Sequence, residues 1–270
     1  MSAKPVKSGL QARIATAVPL IASFLAALYL APLALWIGLT GLVTFLAALE
    51  WAKMAGLNRT ATVFFGILTV SISSSLSVAA PDLALPFYPA VLFWLLAPIL
   101  LARLVKIQPP AIHLLLGAIV LVPTHLGMVM LREIGPDLLF IVVGVVVIAD
   151  TAAYFSGRQF GKHKLAPSIS PGKTWEGAIG AWLAITAYAL ALFFYIPDTL
   201  RLDSLPQALA LFWGLFGLSV LGDLFESTLK RQAGIKDSGN LLPGHGGVLD
   251  RIDSLTAVLP VAALFWIWLK

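Results

Sequence analysis

Apolar residues run through this chain in long blocks, interrupted at short intervals by a few charges, prolines and glycines. A helix that crosses a bilayer needs about 20 consecutive, mostly apolar residues. Nine stretches meet that requirement, at 14–31, 33–50, 61–79, 88–105, 111–131, 137–157, 175–196, 207–226 and 252–269. Only the region of Pro32 divides the first two. Pro19, Pro98, Pro123 and Pro260 fall inside spans, where neighbouring helices satisfy the carbonyls that a proline frees. The pattern predicts an all-α, polytopic integral membrane protein with about nine transmembrane helices.

Composition agrees. The chain has 270 residues, 59% hydrophobic and 11% charged, against roughly 25% charged in soluble domains. The net charge of +5 does not point to nucleic acid, because the basic residues are spread over the segments between spans and not gathered on one face. Those segments set an orientation. With the N-terminus in the cytoplasm, the cytoplasmic side holds 15 of the 18 Lys and Arg, and the other side only Arg132, Arg201 and Lys270. Lys4, Lys7 and Arg13 precede an apolar run that continues to Leu49, which predicts an uncleaved first helix and not a signal peptide. The absence of cysteine excludes disulfides and thiolate metal sites. Composition shifts near residue 150. Residues 1–136 read as an N-terminal transmembrane scaffold and 137–270 as a C-terminal catalytic half of the same bundle, with long cytoplasmic segments at 157–174 and 226–252.

The charges cluster in that second half. Asp223, Glu226, Ser227 and Lys230 fall at i, i+3, i+4 and i+7 and share one helix face at the end of the eighth span. Asp223 follows Gly222 inside an apolar run, where an unpaired carboxylate is expensive and a cation or charged partner is expected. Asp250 and Asp253 flank Arg251 at the start of the last span. Asp250 reads as a ligand, and Asp253 or Ser254 as a helix cap. Asp223 and Asp250, facing each other from adjacent helices, are the predicted metal ligands: two hard carboxylates suit Mg2+, which takes few protein oxygens plus water and phosphate. Lys230, Arg231 and Lys236 are candidate phosphate partners. His245, Gly246 and Gly247 lie in a glycine-rich turn whose N–H groups can approach phosphate closely. Asp150, two turns inside the sixth span, is a further candidate, and Lys173 stands at a Ser-Pro turn that feeds a helix and makes an anion-binding N-terminus. Gly172-Lys173-Thr174 matches the end of a P-loop, but Pro167 occupies the required first glycine and no strand precedes it.

The run from Ser227-Thr228-Leu229-Lys230-Arg231, through Lys236-Asp237-Ser238-Gly239, to Leu242-Pro243-Gly244-His245-Gly246-Gly247-Val248-Leu249-Asp250-Arg251-Ile252-Asp253 resembles the signature of bacterial phosphatidate cytidylyltransferases, or CDP-diacylglycerol synthases. Ser170-Pro171-Gly172-Lys173-Thr174-Trp175-Glu176-Gly177 and the Asp150 segment resemble that family too, so the likeness covers residues 145–270. It implies that CTP and phosphatidic acid give CDP-diacylglycerol and pyrophosphate at the cytoplasmic face of the inner membrane. It implies Mg2+ on Asp223 and Asp250, K+ as a second ion beside them, and a homodimer. The residues themselves add Lys230, which draws in phosphate, and Ser227, which supports a metal-bound water or a phosphate oxygen, as catalytic candidates, and Arg251 as a phosphate-binding one. The alternative from the residues alone is an ion-coupled secondary transporter using Asp150 and Asp223. Transporters tend to show internal repeats and broken helices near the midplane. This chain shows no repeat, and its charges gather at one membrane face. Transferases that consume CDP-linked lipids carry a differently spaced multi-Asp motif, which this chain lacks.

Overall fold

The computed structural model describes residues 9–196, 202–241 and 246–269, with backbone only for 9–18 and 20. Among the described residues are nine helices: α1 (Gly9–Leu30), α2 (Leu33–Met54), α3 (Arg59–Ala79), α4 (Phe87–Ala102), α5 (Pro110–Ile134), α6 (Pro136–Phe160), α7 (Trp175–Tyr195), α8 (Leu205–Gln232) and α9 (Leu249–Leu269). Between α6 and α7 lies an antiparallel hairpin, β1 (Lys164–Ala166) and β2 (Ser170–Thr174), with Lys164 opposite Thr174 and Ala166 opposite Ser170. Seven helices are long and apolar enough to cross a bilayer. The exceptions are α1, whose apolar described part is Ile21–Leu30, and α4, with 16 residues. The fold is that of an all-α membrane protein.

The most buried of the long helices is α5, which packs against α2, α3 and α9. In hydrocarbon every polar group needs an internal partner. The partners are found between helices: His125 of α5 has Nδ1 2.7 Å from Ser73 Oγ of α3 and Nε2 3.0 Å from Thr40 Oγ1 of α2. The indole of Trp94 donates to the Thr256 carbonyl at 3.1 Å, joining α4 to α9. Large apolar side chains such as Phe64, Leu95 and Trp268 are exposed on the outside of the bundle, as a lipid-facing surface requires.

Three boundaries differ from the sequence reading, each because burial or hydrogen bonding continues past the apolar run. The eighth helix runs to Gln232 and not to 226, since Phe225 and Leu229 are buried beside Trp51, Phe93 and Trp94. Lys230 and Arg231 are therefore helical. The last helix starts at Leu249 and not at 252, so Asp253 lies in its second turn and does not cap it. The segment 157–174 is not loop throughout: α6 continues to Phe160 and the hairpin follows.

Candidate active site

Three helices and the hairpin assemble the charged cluster. The last three turns of α8 present Asp223, Glu226, Ser227 and Lys230 on one face, as their spacing predicts. Glu226 is 2% exposed, and its carboxylate holds the ammonium of Lys230. The same Nζ reaches Asp250 Oδ1 at 2.5 Å, so a single lysine bridges two carboxylates and two helices. A charge removed from water this completely is tolerated only when paired. Ser227 Oγ donates to Asp223 Oδ1 at 3.2 Å. Asp223 Oδ2 lies 2.7 Å from Lys173 Nζ, which arrives on the end of β2.

Asp250 is held from the other side by the segment before its helix. Its Oδ2 accepts from Ser238 N at 2.9 Å, Ser238 Oγ at 3.0 Å and Gly247 N at 2.8 Å. Gly246 has φ +80°, and a β-carbon there would meet Asp250 Oδ2 at 2.7 Å. The turn needs glycine for both reasons.

What brings Asp223 towards α9 is Gly222. A β-carbon at that position would lie 2.6 Å from the Asp253 carbonyl oxygen and 3.0 Å from Ser254 Cα. The two backbones touch there, and Ser254 Oγ donates to the Ser219 carbonyl at 3.0 Å one turn away. Small residues permit such an approach between membrane helices. Gly222→Ala is expected to destabilise the protein by about 1–3 kcal/mol, because backbone and not a flexible side chain must yield. The midpoint of thermal unfolding in detergent should fall, and an unchanged midpoint would contradict this contact.

Beside the cluster, a cavity of about 520 Å³ opens between α6, α7, α8 and the hairpin. Asp150, Arg158, Ser170, Lys173, Thr174 and Asp223 supply its polar lining. Asp150 interacts electrostatically with Asp223, Lys173 and Arg251, and Asp253 with Asp223 and Asp150. Thr174 caps α7, accepting from Gly177 N at 3.2 Å. The carboxylate of Glu176 sits 2.6 Å from His163 Nδ1, fixing the hairpin to the start of α7.

The structure thus gathers Asp150, Lys173, Asp223, Ser227, Lys230, Asp250 and Arg251 around the ends of α6, α8 and α9. Gly246 and Gly247 form the turn that supports Asp250. Arg231 points elsewhere: its Nε donates to the Ile169 carbonyl at 3.4 Å and Nη1 to the Ile235 carbonyl at 3.3 Å, tying α8 to the hairpin turn. Lys236 is exposed, and His245 lies outside the described residues. Among the described residues, no group of three or more Asp, Glu and His side chains is placed to hold a metal ion. Asp223 and Asp250 each hold a lysine instead.

One residue of this neighbourhood is absent from the sequence reading. Glu50 of α2 is 2% exposed and accepts from Val248 N at 3.1 Å, Leu249 N at 2.8 Å and Ser238 Oγ at 2.9 Å. It stands at the end of an apolar run, between Leu49 and Trp51, and a carboxylate in such a run was the available signal.

Comparison with known proteins supplies the family. The model described as "Cytidylyltransferase family" matches residues 11–269. The chain belongs to the cytidylyltransferase family. A Pseudomonas aeruginosa protein named phosphatidate cytidylyltransferase is 41% identical over 272 residues, covering 95% of this chain and 97% of that protein. One of the same name from Haemophilus influenzae is 38% identical over 285 residues, covering 95% and 98%. A third, from Staphylococcus aureus, is 47% identical over 117 residues, covering 43% and 44%.

Proposed function

We propose that this cytidylyltransferase makes CDP-diacylglycerol and pyrophosphate from CTP and phosphatidic acid. The name shared by relatives that match nearly the whole chain carries the reading. The charge arrangement at the ends of α8 and α9 supports it independently.

A phosphate oxygen of phosphatidic acid attacks the α-phosphorus of CTP. The bond between that phosphorus and the oxygen bridging to the β-phosphate breaks, and pyrophosphate leaves with the bonding pair. The attacking oxygen is already anionic, so no strong base is required. The difficulty is bringing two polyanions together, and catalysis reduces to positioning and charge neutralisation. Lys173 and Lys230 supply ammonium groups at the two carboxylates. Asp150 lines the cleft from α6, and the exposed Arg251 of α9 is a further cation for phosphate. The lipid phosphate enters the 520 Å³ cleft from the side of the membrane, along the apolar wall that Ala178, Ala181 and Phe216 provide.

The oxygen-only donors Asp223 and Asp250 fit a hard cation, and both already hold a cation in the form of an ammonium group. Mg2+ would be bound by these two carboxylates, with phosphate oxygens and water completing its shell, and would supply Lewis-acid neutralisation of the triphosphate. K+ as a second ion belongs to the same proposal, supported by the family resemblance alone. The charge bias between the two sides supports a cytoplasmic N-terminus and a site facing the cytoplasm, in the inner membrane. The family resemblance supports a homodimer.

The test is direct. Purified protein in detergent, given CTP, phosphatidic acid and Mg2+, is expected to release pyrophosphate and form CDP-diacylglycerol. EDTA is expected to stop both products and added Mg2+ to restore them. Folded protein that makes neither product would sink the assignment, and turnover unaffected by EDTA would remove the metal from it.

A further inference from the structure

Glu50 is separated by about two hundred residues from every group it binds, yet it is more completely buried than any carboxylate of the cleft except Glu226. Its two oxygens receive three donors. Two are backbone N–H groups at the start of α9, which no residue of that helix can satisfy. Gly239 and Gly247 lie against the carboxylate so closely that a β-carbon on either would collide with it. The third donor is the hydroxyl of Ser238. That hydroxyl carries one proton and lies within hydrogen-bond distance of two carboxylates, Glu50 Oε2 at 2.9 Å and Asp250 Oδ2 at 3.0 Å.

We infer that Glu50 is a positioning residue for Asp250, through which the N-terminal helices complete the site. The inference rests on the reading of Asp250 as a cation ligand given above. Glu50 acts by two routes. It fixes the first turn of α9, in which Asp250 stands, and it places Ser238, whose N–H holds Asp250 Oδ2 and whose single hydroxyl proton the two carboxylates share. Asp250 Oδ1 is thereby turned towards Lys230. Without Glu50 the N–H groups of Val248 and Leu249 lose their acceptor, and Ser238 is free to turn. A glutamine is not equivalent. Its amide presents one acceptor oxygen and one NH2 to three converging donors, so at least one donor faces another donor.

The full-length protein in detergent, with Mn2+ as the probe ion followed by electron paramagnetic resonance, tests this without relying on activity. Glu50→Gln is expected to weaken Mn2+ binding by about 10–100-fold, the range for losing a group that orients a metal ligand. The Mn2+ concentration for half-maximal turnover should rise by the same factor. Ser238→Ala keeps the backbone N–H bond and the fold, and should shift both quantities in the same direction by about tenfold with little change in unfolding midpoint. Wild-type Mn2+ affinity in both variants overturns the inference. So does a loss in both that merely follows the fraction of unfolded protein. If the unmodified protein itself binds no Mn2+, the reading of Asp250 fails, and the inference fails with it. That outcome is distinguished by appearing before any substitution is made.

Discussion

Asp223→Asn is expected to lower the rate of pyrophosphate release by about 10²–10³-fold, the scale of losing one group preorganised against developing charge, while the protein remains folded. The substitution keeps the shape of the side chain and can keep the hydrogen bond from Ser227. It removes only the charge. Lys173 then loses its counter-ion in the cleft, and the oxygen pair available to a hard cation is reduced to one neutral carbonyl. Asp223 is only partly buried, with 26% of its side chain exposed, so the unfolding midpoint should move little. Measured together, near-normal turnover refutes the role, whereas lost turnover at an unchanged midpoint isolates it from stability. Asp250→Asn should also abolish turnover but at a cost in stability, because its oxygens serve Lys230, Ser238 and Gly247 and an amide must point a donor at one of them.

Lys230→Met is expected to have the larger structural effect. The lysine is the shared counter-ion of Glu226 and Asp250, and both of those side chains are at most 5% exposed. Removing one partner of a buried ion pair costs about 3–5 kcal/mol, because the remaining charge keeps its desolvation penalty. Here two carboxylates are stranded. Thermal unfolding in detergent should show a large fall, with turnover lost. Adding Glu226→Gln to Lys230→Met should recover part of the stability by discharging one of the two, and none of the turnover. Recovery of turnover in the double variant would show that Lys230 serves folding alone.

The membrane architecture was legible because it depends on one-dimensional information: runs of about 20 apolar residues and the charges that punctuate them. The helix face that carries Asp223, Glu226, Ser227 and Lys230 was legible for the same reason, since α-helical spacing alone puts them together. Partner choice was harder. The sequence reading paired Asp223 with Asp250 and assigned the lysines to phosphate. In the protein each aspartate holds a lysine, Lys173 or Lys230, because a carboxylate withdrawn from water is tolerated when a cation pairs with it. Lys173 also reaches Asp223 on a hairpin that no alternating pattern announced. β1 has three residues, too few to show a period of two. Arg231 was assigned to phosphate from its charge, but the helix continues past the apolar run and carries it towards the Ile169 carbonyl. Glu50 was invisible for a different reason. Its partners are two backbone N–H groups and a serine hydroxyl far along the chain, and backbone donors leave no mark in a side-chain pattern.

The span of that last contact constrains how the protein is made. Chains emerge from the ribosome N-terminus first at about 5–20 residues per second, so α2 is complete roughly 10–40 seconds before Val248 and Leu249 exist at that pace. Until Ser238 is made Glu50 has none of the three donors that hold it in the finished protein, and its two backbone donors come last. It stands one turn from the end of α2, close enough to the membrane surface for water to serve as its temporary partner. The final helix therefore does more than complete the bundle. With Val248 and Leu249 in place Glu50 gains its backbone donors and α2 is tied to the turn around Asp250, so a nascent chain that ends before Val248 has neither a finished site nor a sheltered Glu50.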